Sequence, residues 1–277
     1  MFEFLEPAFM QRALLAAFVV GLCAPLVGIF LVQRRLSLMG DGLGHIALTG
    51  VALGFLLQTN PVVTAVIVAS IGAVILELIR SYGNTSGDLA LAILFYGGIA
   101  GGVLLIGLSA KQSNVNLLSY LFGSLTTVSR LDILIIVSLA IFIFFTTLIL
   151  RKPFFALCHD SEFAQVSGIP TKALSILLAV MTAVTVTIAM RVVGLLLVSA
   201  LMIIPVASAQ QLGKSFSGTR LMASFIGATT AITGVILSFY FDLAPGALIV
   251  VLVILIFIVM IAAAALSRKL NASKEMS

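Results

Sequence analysis

Asp41 and His45 are the residues of this chain whose types and spacing could do chemistry. They stand four positions apart inside an apolar stretch, so on a helix both project from one face. An ionisable side chain in hydrocarbon costs about 3 kcal/mol or more; such groups are normally paired, turned to the bundle interior and set along a transport path. A carboxylate and an imidazole so placed offer one oxygen and one nitrogen ligand to a divalent cation. The bland alternative is an Asp–His hydrogen bond that only ties two helices together. The other histidine, His159, falls in a loop, so one chain supplies few strong ligands. Two copies meeting at an axis would supply four.

The elements that must position this pair read as membrane helices. Hydrophobic residues make up 61% of the 277 and charged residues 9%, and the mean hydropathy is +1.27. Apolar runs recur at about 20 residues, the length a helix needs to cross hydrocarbon. Spans are expected near 9–32, 37–58, 61–79, 87–109, 131–150, 171–190, 192–212, 220–240 and 246–266. Glycine interrupts the second and Pro205 the seventh, so the count is eight to nine. The fold expected is an all-α, polytopic transmembrane bundle, one domain over residues 1–277. The first segment follows Glu3 and Glu6 and lacks a small-residue cleavage site, so it is read as a retained span.

The net charge of +5 would suggest nucleic acid in a soluble protein. Here the basic residues lie in short connections, which excludes that partner and reports orientation. With the N-terminus outside, Arg34, Arg35, Arg80, Arg151, Lys152 and most other cations fall on the cytoplasmic side. Only Arg12, Lys111, Arg130 and Arg191 remain outside, which favours an N-out, C-in chain. Cys23 and Cys158 are far apart and outside any CxxC, so neither a disulfide framework nor a structural zinc cluster is expected.

Three segments bear on mechanism. Gly40, Gly42 and Gly44 flank the Asp–His pair and Gly50 follows it, weakening the helix by about 1 kcal/mol each relative to Ala while leaving room for a helix or an ion. The longest cytoplasmic loop, about 151–172, holds Asp160 as a cap, Glu162 in a first helical turn, Ala164, and Gly168 as a stop before Pro170. That short amphipathic helix is either a receiver of force from a soluble partner or an ordinary interfacial helix. In the seventh span Pro205 removes a helical hydrogen bond and should kink or break it.

Glu77, Asp88, Asp132 and Asp242 are expected at span ends within reach of water, leaving Asp41 as the carboxylate inside. Gly97 to Gly102 reads as a close-packing surface, and 114–129 as an external segment with a short helix. The chain has no GxxxxGK[ST] phosphate loop, so its energy comes from a partner or a gradient. A gradient-driven carrier would normally show more buried titratable groups. An intramembrane metal hydrolase would need an HExxH pair, which is absent.

At these residues the chain resembles the membrane subunit of bacterial ATP-binding-cassette importers for zinc, manganese or iron(II), over nearly its whole length. The motifs are Gly40-Asp41 with His45 and Gly50; Leu121-Phe122-Gly123; Asp160-x-Glu162-x-Ala164 with Gly168; Gly194; Pro205; and Asp242-Leu243-Ala244-Pro245-Gly246. It looks closest to the zinc-type permeases. The resemblance implies that Asp41 and His45 are intramembrane metal ligands and that two permease chains form the pathway. It implies that Asp160 to Gly168 couples to a cytoplasmic ATPase dimer carrying the ATP, and that Gly40, Gly44, Gly50, Gly194 and Pro205 serve the pathway or its hinges. An extracytoplasmic metal-binding protein would deliver the ion, with no permanently bound cofactor, at the bacterial cytoplasmic membrane. Two departures stand out: Gly42 and Gly44 replace the usual Thr and Ala, and Ser124 stands where an acidic residue is common.

Overall fold

The computed structural model describes residues 6–82, 87–109, 118–124, 128–212 and 215–275, all of whose regular elements are helical. Helices α1 (Ala8–Gln33), α2 (Met39–Leu56), α3 (Pro61–Tyr82) and α4 (Gly87–Ser109) precede the short α5 (Leu118–Phe122). Then follow α6 (Arg130–Ile149), α7 (Arg151–His159), α8 (Ser161–Val166) and α9 (Thr171–Ala189). A 3₁₀ turn (Leu195–Leu197) leads into α10 (Val198–Leu212), and α11 (Phe216–Phe241) and α12 (Pro245–Glu275) complete the chain.

Among the described residues, eight helices are long and apolar enough to span a membrane: α1, α2, α3, α4, α6, α9, α11 and α12. The expected spans 37–58 and 61–79 are met by α2 and α3 within a few residues. Helix starts follow their capping chemistry. Ser129 accepts the Asp132 amide and Asp132 accepts the Ser129 amide, a reciprocal box that starts α6. Ser215 accepts the Gly218 amide at the start of α11. Of the expected helix in 114–129, five residues are seen as α5; 110–117 and 125–127 lie outside the described residues.

Helices α1, α2 and α9 are largely buried, whereas α4, α6 and α12 turn most of their surface outward. Lipid is as apolar as leucine, so close packing rather than water exclusion holds such helices together, and small residues permit it. An added Cβ on Gly28 of α1 would overlap the Met202 carbonyl of α10. Gly21 of α1 and Gly227 of α11 meet backbone to backbone in the same way, with Pro25 seated on Gly227. Helix α1 runs unbroken through Pro25.

The seventh expected span departs from the sequence reading. Helix α10 runs through Pro205, and the break lies earlier, between Met190 and Leu197. Its cause is Gly194, whose φ of +88° is a left-handed conformation that glycine adopts without strain. Helix α10, 15 residues long, is shorter than a full crossing. The two ends of this broken segment nonetheless lie at opposite ends of the bundle. Gly194 abuts Phe122 and Gly123, while Phe216, just past α10, stacks beside Phe30 near the end of α1.

Two expected water-exposed carboxylates are buried instead. Glu77 is 2% and Asp132 1% exposed. Each has a cation beside it: Arg80 lies 3.3 Å from Glu77, and Arg191 lies 2.8 Å from Asp132. The Arg191 guanidinium also sits 4.8 Å from the centre of the Tyr120 ring. Pairing is what makes such burial tolerable. Asp242 is exposed as expected, and the Asp88 side chain lies outside those described.

The glycine contacts predict unequal effects of one added methyl group. Gly28→Ala, forced against the Met202 carbonyl, should cost about 1–3 kcal/mol, read as a lower Tm of the detergent-purified chain. Gly97→Ala, whose Cβ would meet open space, should leave Tm unchanged.

Candidate functional site

Asp41 lies in the first turn of α2 and His45 one turn further on, both half-buried. They share one helix face, as the spacing requires. The His45 ring meets the Phe95 ring of α4 edge-on at 4.5 Å. Its Nδ1 atom is buried and has no hydrogen-bond partner among the described residues. A buried polar nitrogen without a partner is costly, and in a native site it calls for a proton donor or an ion.

The backbone around the pair is held by small residues. A Cβ on Gly98 of α4 would lie 2.7 Å from the His45 carbonyl carbon, so α4 rests directly on the α2 backbone. Thr49 clamps this contact, its hydroxyl donating to the Gly98 carbonyl at 2.7 Å and to the His45 carbonyl at 3.3 Å. Gly101 and Gly102 continue the surface against Thr49 and Leu48, so Gly98, Gly101 and Gly102 form the packing stripe while Gly97 and Ala100 are exposed.

Each of the flanking glycines faces a different neighbour. Gly40 faces the Ser199 hydroxyl at the start of α10, and Gly44 faces Leu195 in the 3₁₀ turn. Gly42 faces Leu91 of α4, and Gly50 lies against Ala65 of α3. At Gly42 and Gly44 an added Cβ would meet a leucine methyl 2.7 Å away, the movable end of a side chain. Larger residues at those two positions would therefore demand a rotamer change rather than a backbone shift. Ser199 Oγ is buried and also lacks a partner among the described residues, which places a second such polar atom beside the same stretch of α2.

One chain brings no group of three or more His, Cys, Asp or Glu together among the described residues. Asp41 and His45 are thus two donors, short of a complete divalent-ion shell. The thiols do not join them. Cys23 hydrogen-bonds weakly to Ala140 of α6 and Cys158 to Phe30 of α1. Burial pushes the Cys158 thiol up to about 11, partly opposed by Arg34, so it stays protonated at neutral pH.

At the loop end, Asp160 accepts the Glu162 and Phe163 amides at 3.0 and 2.9 Å, capping α8. Gly168, at φ +82°, closes it. Its N–H donates to the Gln165 carbonyl and that of Ile169 to the Ala164 carbonyl, the two bonds of a Schellman ending. Ala164 is fully buried against the bundle. Asp160, Ala164 and Gly168 therefore shape and seat the helix, while Glu162 is exposed. The residues offered outward are ones the sequence reading passed over: Phe163 and Val166, 69% and 88% exposed. Their signal was available, since apolar residues three apart on a capped helix form one stripe.

At the opposite end, three motif segments distant in sequence converge on Gly194. Phe122 and Gly123 touch it directly, and a Cβ on Gly246 would overlap the Val193 carbonyl. Beside this junction a polar cavity of about 470 Å³ is lined by Phe9, Gly123, Ser124, Asp242 and Pro245 among others. Ser124 and Asp242 thus share one wall. Pro205 lies inside α10, buried, away from this junction.

Comparison with known proteins places these features. The chain is 34% identical over 252 residues to the high-affinity zinc uptake system membrane protein ZnuB of Haemophilus influenzae, covering 91% of this chain and 94% of that protein. It is 30% identical over 249 residues to the manganese transport system membrane protein MntC of Halalkalibacterium halodurans, covering 90% and 85%. Among solved structures, PsaBC from Streptococcus pneumoniae in complex with Fab matches with a TM-score of 0.83 and 30% identity, over 93% of this chain and 92% of that one. The ABC 3 transport family matches residues 6–264, and the chain belongs to that family.

Proposed function

We propose that this chain is the permease subunit of an ATP-binding-cassette importer that carries a divalent metal ion, zinc in the first instance, into the cytoplasm. The observation that carries the reading is the Asp41–His45 pair: one carboxylate and one imidazole on a single face of α2, with a buried, unpartnered His45 Nδ1. Two donors do not complete a shell, so a second copy supplies the same pair across the pathway. A two-Asp, two-His shell suits zinc, and manganese or iron(II) as well. The relatives include proteins named for zinc and for manganese; the imidazole donor and the family likeness support zinc first.

In this reading the ion is held briefly rather than stored, since a transport site must also release it. An extracytoplasmic metal-binding protein delivers it at the Gly194 end, where the polar cavity with Ser124 and Asp242 opens. Two ATPase subunits dock at α8 and switch the dimer between outward and inward states. Asp160, Ala164 and Gly168 hold α8 in place, Glu162 adds charge at its first turn, and Phe163 and Val166 insert into the ATPase. The break at Gly194 and the glycines at 40 and 44 let α2 shift against the Leu195 turn and α10, Gly50 lets it approach α3, and Pro205 leaves α10 one backbone bond short.

Uptake of labelled zinc into vesicles holding this chain, its ATPase and its binding protein tests the ion site. Asp41→Ala and His45→Ala should each lower ATP-dependent uptake at least about tenfold, a scale that even outer-shell ligands reach, while the complex still assembles. Unchanged uptake in both would make the pair structural, and manganese as competitor ranks the ions. The coupling surface has its own test. Phe163→Ala should weaken co-purification of the ATPase about tenfold or more and leave the permease folded, whereas Ala164→Leu should destabilise the permease itself.

A further inference from the structure

An apolar cavity of about 430 Å³ lies between α1, α6 and α11. Its walls are Phe18 and Leu22 of α1, Phe144 and Leu148 of α6, and Phe225 and Ala228 of α11. It is separate from Asp41 and His45, which stand on α2 beside α4, since neither of those helices lines it. From Arg220 to Ala228 the cavity follows about 12 Å of α11.

At its mouth the chemistry changes. Arg220 lines this cavity and also a second one of about 270 Å³, together with Arg151, Lys152, Phe155, Phe216 and Ser217. The two spaces therefore meet at one guanidinium. Arg151 and Lys152 are exposed and Arg220 half-buried. Among the described residues none of the three makes an ion pair. Inside the apolar part, Ser224 Oγ is buried without a hydrogen-bond partner among the described residues.

We propose that this groove holds one anionic phospholipid, its phosphate gripped by Arg151, Lys152 and Arg220 and one acyl chain lying between α1, α6 and α11. An apolar slot that opens onto three unpaired cations at the end of the spanning helices matches both halves of such a molecule. A zwitterionic lipid would fill the slot but leave the net charge at its mouth uncompensated. Ser224 meets the ester region or a water carried with it. Basic pockets between spanning helices on the cytoplasmic side are where acidic headgroups are recognised, each cation contributing about fivefold in affinity.

Native mass spectrometry of the purified permease, titrated with phosphatidylglycerol against phosphatidylcholine, tests this. The wild type should retain phosphatidylglycerol at least about tenfold more strongly. Arg151→Gln/Lys152→Gln/Arg220→Gln should abolish the preference, Ala228→Leu should lower retention of phosphatidylglycerol with no change of charge, and Arg12→Gln at the far end of α1 should do neither. Equal retention of the two lipids overturns the proposal, as does a preference that survives the triple substitution. Loss on charge removal with no effect of Ala228→Leu would mean surface attraction without an occupied groove, and overturns the acyl-chain assignment. Disulfide capture of a second copy through Leu221→Cys would show that protein covers the groove, and overturns it too. Should the triple variant fail to assemble, photoactivatable phosphatidylglycerol applied to wild type gives the answer: labels within 18–26, 144–148 and 220–228 support the site, and labels confined elsewhere refute it.

Discussion

The contact of α4 on the α2 backbone at Gly98 and His45 fixes where the imidazole sits, and much of the molecule is arranged around it. A bilayer offers no water to satisfy a misplaced polar group, so the ring must be positioned by the protein alone. The Thr49 hydroxyl, bonded to carbonyls of both helices, and the Phe95 ring complete that grip. Because Gly98 allows backbone contact, α4 can cover the polar face of α2 while its other side remains outward-facing. His45 is thus held on its α4 side, while its Nδ1 has no hydrogen-bond partner among the described residues.

The second organising feature is the nest of glycines around residues 192–194. Three stretches far apart in sequence meet where φ is positive at Gly123 and Gly194 and where Gly246 touches the Val193 backbone. The nearby Arg191 is locked by Asp132 and the Tyr120 ring, so the junction is anchored just before the chain turns into α10. Ser199, the residue facing Gly40, is only five residues beyond Gly194. A shift of α10 about that glycine would reach α2 next to Asp41.

Much of this architecture could be read from residue order, and the exceptions have physical reasons. Span positions followed hydropathy, and the α8 boundaries followed Asp160 and Gly168, because capping and left-handed closure are local. The break near Gly194 was misassigned to Pro205, because a proline advertises itself in sequence while a glycine acts only where tertiary contacts force positive φ. Asp132 looked water-exposed because its partner is set by folding, Arg191 being 59 positions away; Glu77 pairs locally with Arg80, but its burial depends on neighbours that folding brings, among them Arg34, just past α1, which bonds the Ser175 hydroxyl. Asp41 and His45 were legible as a pair from spacing alone. Phe163 and Val166 were legible as an apolar stripe on a capped helix, but that the stripe faces outward while Ala164 meets the bundle required the fold.

The central claim is that one carboxylate and one imidazole from each of two copies form the ion's resting place within the membrane. X-ray absorption at the zinc edge, on zinc-loaded permease dimer, tests it most directly. The account predicts a shell of nitrogen and oxygen neighbours with no sulfur, lost in Asp41→Ala and in His45→Ala. A sulfur-containing shell, or a spectrum unchanged by either substitution, would contradict it.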